Sequence, residues 1–174
     1  LKILLFNNRI YGLTKGQFSP TSILGQKTKS TPMGVIDYPF VPVSLALGAG
    51  ATLVARAMDR DPKVLQEVVR RAEGHRGASF IEIYQNCNVF NDGAFELFTE
   101  KDSKDDHVVY LEHGKPLVFG KQKEKGIRLN GFTAEVVNIQ EGTFSANDLL
   151  VHNEKDSTLA FILANMIHNP DLPR

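Results

Sequence analysis

An Asn-Asn pair that follows an apolar run without a break, Ile3-Leu4-Leu5-Phe6-Asn7-Asn8, opens the stretch of this 174-residue chain with the clearest capacity for chemistry. It continues through Arg9-Ile10-Tyr11-Gly12-Leu13-Thr14-Lys15-Gly16-Gln17 into Ser19-Pro20-Thr21. In open α/β sheets, ligands bind in the crevice outside the carboxyl ends of the strands. Asn8 at such a place can offer a neutral oxygen to a hard cation such as Mg²⁺, which keeps phosphate oxygens in its shell. Gly12 and Gly16 let the backbone approach a bulky anion. Thr14 and Gln17 are neighbouring polar groups able to donate to diphosphate oxygens. Together these residues have the chemistry of a metal–diphosphate site. Asn is also a favoured turn residue, so the dipeptide by itself reads as a turn after a strand. Leu13 by itself reads as core. Lys15, in a glycine-flanked loop, is either a solvated surface cation or a partner for a carboxylate.

A second candidate lies farther along, at Gln85-Asn86-Cys87-Asn88-Val89-Phe90-Asn91. A lone Cys is most often a small buried hydrophobe. Here polar residues flank it and a strand end presents it, which is a poor setting for a pure core role. The five histidines, His75, His107, His113, His152 and His168, lack metal-ligand spacing and read as surface or satisfied core. No Ser-His-Asp set, Walker loop or Gly-x-Gly-x-x-Gly fingerprint is present.

The elements that must position these residues follow from pattern. Lys2 to Phe6 reads as a buried strand by its continuous apolar run. Residues Asn7 to about Pro42 form a long connection, which in a compact domain is functional or disordered. Met33, Val35, Ile36, Tyr38 and Phe40 argue for order, through packing on a partner or cofactor. Pro42 to Gly50 reads as a short helix and Thr52 to Ala57 as a strand. Asp61-Pro62 is an N-cap followed by Pro at the first helical position. Val64, Leu65, Val68, Val69 and Ala72 then recur on one helical face up to Gly74 and Gly77. Ala78 to Tyr84 is a third strand. Strand, helix and strand of these lengths make a βαβ unit and hence a parallel sheet, an α/β fold. After about Phe98 the character changes. Val108–Leu111, Pro116–Phe119 and Ile127–Leu129 are short strand candidates between glycine-containing turns. From Ser145 onward the tail reads as mostly helical, with Leu159, Phe161, Ile162, Leu163, Met166 and Ile167 as its apolar face and Asn169-Pro170 as its stop. The expected division is therefore residues 1–98 and an extension, 99–174.

The whole block from Asn7 to Thr21 resembles the β subunit of 2-oxoacid:ferredoxin oxidoreductases, especially the 2-oxoglutarate type. The Asn-Asn pair is similar to the second half of the thiamine diphosphate motif, and Tyr-Gly-Leu-Thr-x-Gly-Gln-x-Ser-Pro-Thr narrows the match. The resemblance is dense from Leu1 to about Glu96 and thins beyond. It implies a thiamine diphosphate-binding fold of the diphosphate type, with a carboxyl-terminal appendage. It also implies Mg²⁺ held by the Asn8 side chain and the Ile10 carbonyl, and Gly12, Leu13 and Thr14 against the cofactor. Leu13 would wedge beneath the bent cofactor, giving the proximity that starts catalysis. Lys15 would meet the distal carboxylate of 2-oxoglutarate. Cys-x-x-Phe-Asn resembles the segment of the fourth ligand to a [4Fe-4S] cluster, so Cys87 would supply one thiolate of four. Leu1 is not an initiator Met and stands already inside a strand. The resemblance thus implies an absent amino-terminal portion with the Gly-Asp-Gly half of the motif and a Cys-x-x-Cys…Cys set. The activity implied is oxidative decarboxylation of a 2-oxoacid to acyl-CoA, with electrons passing through the cluster to ferredoxin. Its partners would be the α subunit of the same enzyme, ferredoxin, the 2-oxoacid and coenzyme A. A thiamine-dependent lyase or synthase without a cluster, and a truncated non-catalytic docking domain, are the rival readings.

Composition bounds these possibilities. The chain is 42% hydrophobic and 23% charged, ordinary for a globular protein. Twenty basic residues balance twenty acidic ones, so there is no electrostatic footprint for nucleic acid or an anionic membrane. No apolar run approaches the ~20 residues of a membrane span. One cysteine cannot make an internal disulfide, which fits a reducing cytoplasm.

Overall fold

The computed structural model describes residues 1–169 and 171–173, in two compact units, Leu1–Phe95 and Glu96–Arg174. The first is built on a parallel sheet of β1 (Lys2–Asn7), β5 (Ser79–Tyr84) and β4 (Leu53–Met58), in the order β1-β5-β4. A short antiparallel pair, β2 (Ile10–Tyr11) and β3 (Gln17–Phe18), follows β1. The helices are α1 (Pro42–Gly48) and α2 (Pro62–Gly74). The β4-α2-β5 crossover is the βαβ unit expected from the apolar spacing. Asp61 caps α2 by accepting the Val64 N–H (3.3 Å), and Pro62 stands at the helix start, where a missing N–H costs nothing. Leu65, Val68 and Ala72 on its inner face meet Leu53, Ile81 and Ile83 of the sheet.

Central β5 is buried except at half-buried Phe80, as expected of a strand with neighbours on both edges and a helix on its face. β1 departs from expectation. It forms where the apolar run places it, but it is an edge of this sheet, and Ile3, Leu4 and Phe6 are 42%, 45% and 58% exposed. A continuous apolar run marks a strand suited to burial on both faces, and β5 covers only one edge of it. The long connection between β1 and α1 is ordered by short turns, and it holds Met33, Ile36 and Tyr38 out in the open.

The second unit contains two one-turn helices, α3 (Glu96–Thr99) and α4 (Lys104–His107). It continues with an antiparallel sheet of β6 (Val118–Phe119), β7 (Lys125–Asn130) and β8 (Thr133–Asn138), and with α5 (Ser157–Asn165). Leu117, Phe119, Ile127, Ala134, Met166 and Leu172 form its core, with Ile162 and Leu163 of α5 packed against it. Three expectations are corrected here. Val108–Leu111 is not a strand. β8 was not anticipated, although Asn130-Gly131 is a strong hairpin signal. Gly131 takes φ +62°, and the two-residue turn pairs Asn130 with Thr133. The tail is not helical from Ser145. A 3₁₀ turn at Ala146–Asp148, capped by Ser145, gives way to extended chain that bridges Val151 to Pro116. Helix begins at Ser157, where Asp156 accepts the Leu159 N–H (3.0 Å). The expected stop at Asn169-Pro170 lies partly outside the described residues, because Pro170 is not among them. No helix among the described residues is long and apolar enough to cross a membrane.

Candidate functional site

The carboxyl ends of β1 and β5 stand side by side, with Gln85 N–H donating to the Asn7 carbonyl (3.0 Å). From this edge the chain turns sharply at Asn8 and Arg9, and the turn is held by buried polar groups. Asn7 Nδ2 donates to Glu82 Oε1 (2.7 Å), and Asn7 Oδ1 accepts from Arg9 N–H (3.1 Å) and Thr21 Oγ1 (2.7 Å). The second Glu82 oxygen pairs with Arg56 Nε (2.8 Å), in register across the two strands. Glu82 is 1% exposed. Burial by itself would lower the Arg56 pKa, but Tyr84 and Glu82 outweigh it and hold that pKa above its ordinary value. Arg56 therefore stays charged and anchors Glu82, which anchors Asn7.

Arg9 is also buried. Its guanidinium lies over the rings of Tyr84 (5.1 Å) and Phe95 (4.7 Å), which stack on each other at 4.6 Å. Its backbone sits at φ +57°, the left-handed region that a bulky residue enters only when surroundings compel it. Its carbonyl accepts from Ser22 Oγ (2.7 Å) and Gln26 Nε2 (3.2 Å). Asn7, Arg9, Arg56 and Glu82 were all missed in the sequence. A signal existed: a charged residue at the fourth place of Leu-Val-Ala-Arg-Ala-Met and again of Ser-Phe-Ile-Glu-Ile-Tyr is affordable inside a sheet only as a pair.

Asn8 makes the turn that the local reading allowed. Its Oδ1 accepts the Ile10 N–H (3.2 Å), which closes that turn. Asn7 Oδ1 already accepts two bonds, whereas Asn8 Oδ1 accepts one and keeps a lone pair. Ile10 is buried and pairs with Phe18. Between β2 and β3 the loop closes on itself, with Lys15 N–H on Gly12 O (3.0 Å) and Gly16 N–H on Tyr11 O (3.1 Å). Thr14 Oγ1 donates to Tyr11 O (3.2 Å), inside the loop. Leu13 at the apex is 99% exposed, which rules out a core role for it within this chain. Lys15 is exposed beside it, with φ +65°. Gly16 takes φ +96°, and a Cβ there would come within 3.1 Å of the Phe90 ring. Phe90 would have to give by a few tenths of an ångström for any side chain at this place, where the positive φ already favours glycine.

Phe90 belongs to the Cys87 turn, and the structure brings that turn against the Asn8 loop. Asn91 N–H donates to Cys87 O (2.9 Å), while Asn91 Nδ2 donates to Asn8 O (2.9 Å). Cys87 itself is half-buried. Among the described residues no group of three or more His, Cys, Asp and Glu could hold a metal ion.

Asn7, Asn8, Ile10, Tyr11, Ser19 and Thr21 line one end of a cavity of about 620 Å³, continued by Ile3, Leu5, Phe40 and Leu45. A cavity of this size, apolar with a few convergent polar groups, has the form of a ligand site. A neutral amide oxygen with a spare lone pair, fixed in a turn at its rim, fits Mg²⁺ that also carries phosphate oxygens. Cys87 fits a [4Fe-4S] cluster as one ligand only, since four thiolates are required and the chain has one cysteine.

Comparison with known proteins places this geometry. Residues 1–83 match the family described as thiamine pyrophosphate enzyme, C-terminal TPP binding domain. The chain is 49% identical over 166 residues to the 2-oxoglutarate oxidoreductase subunit KorB of Mycobacterium tuberculosis, covering 94% of this chain and 44% of that protein. It is 45% identical over 92 residues to the 2-oxoacid:ferredoxin oxidoreductase subunit beta of Saccharolobus solfataricus, covering 53% of this chain and 30% of that one. It thus spans under half the length of these relatives. A solved 2-oxoglutarate:ferredoxin oxidoreductase from Magnetococcus marinus, with 2-oxoglutarate, coenzyme A and succinyl-CoA bound, superposes with TM-score 0.51 at 39% identity, over 53% of this chain and 32% of that one. The chain is a homologue of 2-oxoacid:ferredoxin oxidoreductase β subunits over most of its length, and its parallel sheet with helices matches the thiamine diphosphate-binding fold of the solved relative.

Proposed function

We propose that the protein serves in the oxidative decarboxylation of a 2-oxoacid to its acyl-CoA, with 2-oxoglutarate as the substrate and ferredoxin as the electron acceptor. Thiamine diphosphate, when bound, supplies the carbanion chemistry that such cleavage needs. This chain's own part is to bind and orient. The observation that carries the reading is the Asn8 amide oxygen, fixed in a clamped turn at the rim of the 620 Å³ cavity and one acceptor short of full use. In this proposal Asn8 and the Ile10 carbonyl hold Mg²⁺, and Gly12 and Thr14 lie against the cofactor. Leu13, projecting from its loop, wedges beneath it. Lys15, two residues on, holds the distal carboxylate of the substrate. Cys87 contributes one thiolate to a [4Fe-4S] cluster whose other ligands lie outside this chain. Residues 1–98 act as the cofactor domain and 99–174 as an extension, working with an α subunit in the cytoplasm. The names of the relatives, and the 2-oxoglutarate and coenzyme A in the Magnetococcus enzyme, support this choice of substrates.

The test is Asn8→Ala in the full-length protein, titrated calorimetrically with thiamine diphosphate at limiting Mg²⁺. Loss of a metal ligand should weaken binding about tenfold or more with the fold intact. Equal affinity in mutant and wild type would sink the assignment.

A further inference from the structure

Two successive peptide groups in the Asn8 loop are each held at both ends. The Asn8–Arg9 peptide has its N–H on Asn7 Oδ1 (3.1 Å) and its carbonyl under Asn91 Nδ2 (2.9 Å). The Arg9–Ile10 peptide has its N–H on Asn8 Oδ1 (3.2 Å) and its carbonyl under Ser22 Oγ (2.7 Å) and Gln26 Nε2 (3.2 Å). Asn7 and Asn8 belong to the strand end and the loop itself, and Ser22 and Gln26 to the long connection that follows. Asn91 comes from beyond β5, on the turn that its own backbone N–H closes onto Cys87 O (2.9 Å). Its Oδ1 accepts from Gln26 Nε2 (3.4 Å), so it also steadies another of the loop's holders.

The soft motion of such a loop is a flip of the Asn8–Arg9 peptide. That flip would release Arg9 from its left-handed φ of +57°, a conformation unfavourable for a side chain of its size. It would break the Arg9 N–H bond to Asn7 Oδ1 (3.1 Å) and swing the Asn8 carbonyl off Asn91, loosening the turn in which Asn8 Oδ1 accepts the Ile10 N–H (3.2 Å). The donor from Asn91 opposes this by holding the Asn8 carbonyl in place. We propose that Asn91 is a positioning residue that ties the Asn8–Ile10 loop to the Cys87 turn and keeps the Asn8 oxygen presented to a divalent cation–diphosphate ligand. This rests on the reading of Asn8 given above. Phe90 reinforces the tie by packing its ring over Gly16 and Gly12.

The experiment compares wild type, Asn91→Leu and Asn91→Gln in the full-length protein, by calorimetric titration with thiamine diphosphate across a Mg²⁺ series and by thermal melting. Asn91→Leu keeps the approximate shape without a donor and adds no charge. It should bind thiamine diphosphate about three- to tenfold more weakly at limiting Mg²⁺, the loss expected for one hydrogen bond. Saturating Mg²⁺ should recover most of that loss, since the ligand state and the presented state are linked by mass action. The melting temperature should hold, and Asn91→Gln, still a donor, should bind better than Asn91→Leu. Affinity equal to wild type in Asn91→Leu overturns the inference. So does a loss that Mg²⁺ does not recover and that comes with a lowered melting temperature, since that marks a scaffold role. A wild type that binds no thiamine diphosphate defeats the assignment of Asn8 itself, and this inference with it. Failure at Asn91 in a wild type that binds leaves the Asn8 assignment standing.

Discussion

Replacing Glu82 with Gln tests whether the site is anchored through charge. The side chain keeps its shape, and its amide oxygen can still accept from Asn7 Nδ2, now at 2.7 Å from Glu82 Oε1. The amide nitrogen then faces Arg56 Nε, now 2.8 Å from Glu82 Oε2, and a donor meets a donor. Breaking a buried ion pair by removing one partner costs about 3–5 kcal/mol, because a charge is left uncompensated. Arg56 retains 18% side-chain exposure and its seat over the Tyr84 ring at 5.1 Å, which brings the cost just below that range, to about 2–3 kcal/mol. In a chain of this size that is a fall of roughly 5–10 °C in melting temperature. Adding Arg56→Met removes the stranded charge, and an apolar replacement for a buried pair is often near neutral. The double mutant should therefore be more stable than Glu82→Gln. Urea unfolding of the full-length protein, followed by far-ultraviolet circular dichroism, measures all members of the cycle. Thiamine diphosphate affinity should hold in Glu82→Gln, since Asn7 keeps its acceptor. A single mutant within about 1 kcal/mol of wild type, or a double mutant no better than the single, would refute charge anchoring.

Other consequences are open to direct measurement. Lys15→Ala should lower kcat/KM for 2-oxoglutarate by roughly ten- to a hundredfold, the worth of a charge-assisted bond, and affect pyruvate much less; equal losses would count against selection by Lys15. Cys87→Ser in the full-length protein, prepared without oxygen, should lose iron and ferredoxin reduction, whereas four retained irons would make Cys87 a packing residue. Burial lowers the His152 pKa; Glu154 opposes the shift and His113 adds to it. The folded value thus lies below the unfolded one, so the unfolded chain binds more protons just below about pH 6.5, and stability falls as the pH drops through that window. His152→Gln should flatten that part of the melting-temperature profile, and an unchanged slope would remove His152 as its source.

The legible parts of the fold are those written in local chemistry. Asp61-Pro62 announces the start of α2 through a cap and a fixed φ, and the structure places the helix there. The apolar runs of β1 and β5 announce strands. Burial is a different matter, because a run says what a strand suits and not what surrounds it, and β1 keeps Phe6 58% exposed. The second unit was read less well for a related reason. Its strands β7 and β8 are as long as those of the first unit's parallel sheet, six residues, but their apolar residues form no continuous run, and its helix is preceded by twelve residues of turn and extended chain from Ser145. Asn130-Gly131 did carry a local signal for β8, but read as the central pair of the turn it sets the register one residue early, because the chain turns through Gly131-Phe132.

At the site, the divide falls between residues proposed to face a ligand and residues that hold them. Asn8, Gly12, Leu13 and Lys15 form one continuous block, so their chemistry can be read in a line. Their supports come from everywhere else: Arg56 and Glu82 from two strands, Ser22 and Gln26 from the long connection, Asn91 from the turn past β5. Such residues meet only after folding, and none has a spacing to read. The Asn7-Asn8 pair makes the point within two residues. The sequence shows equal amides, yet Asn7 Oδ1 accepts two bonds and its Nδ2 is spent on Glu82, while Asn8 Oδ1 accepts one. Capacity for a metal therefore sits on Asn8 because the fold has already used Asn7, and any change that frees Asn7 from Glu82 loosens the turn that presents Asn8.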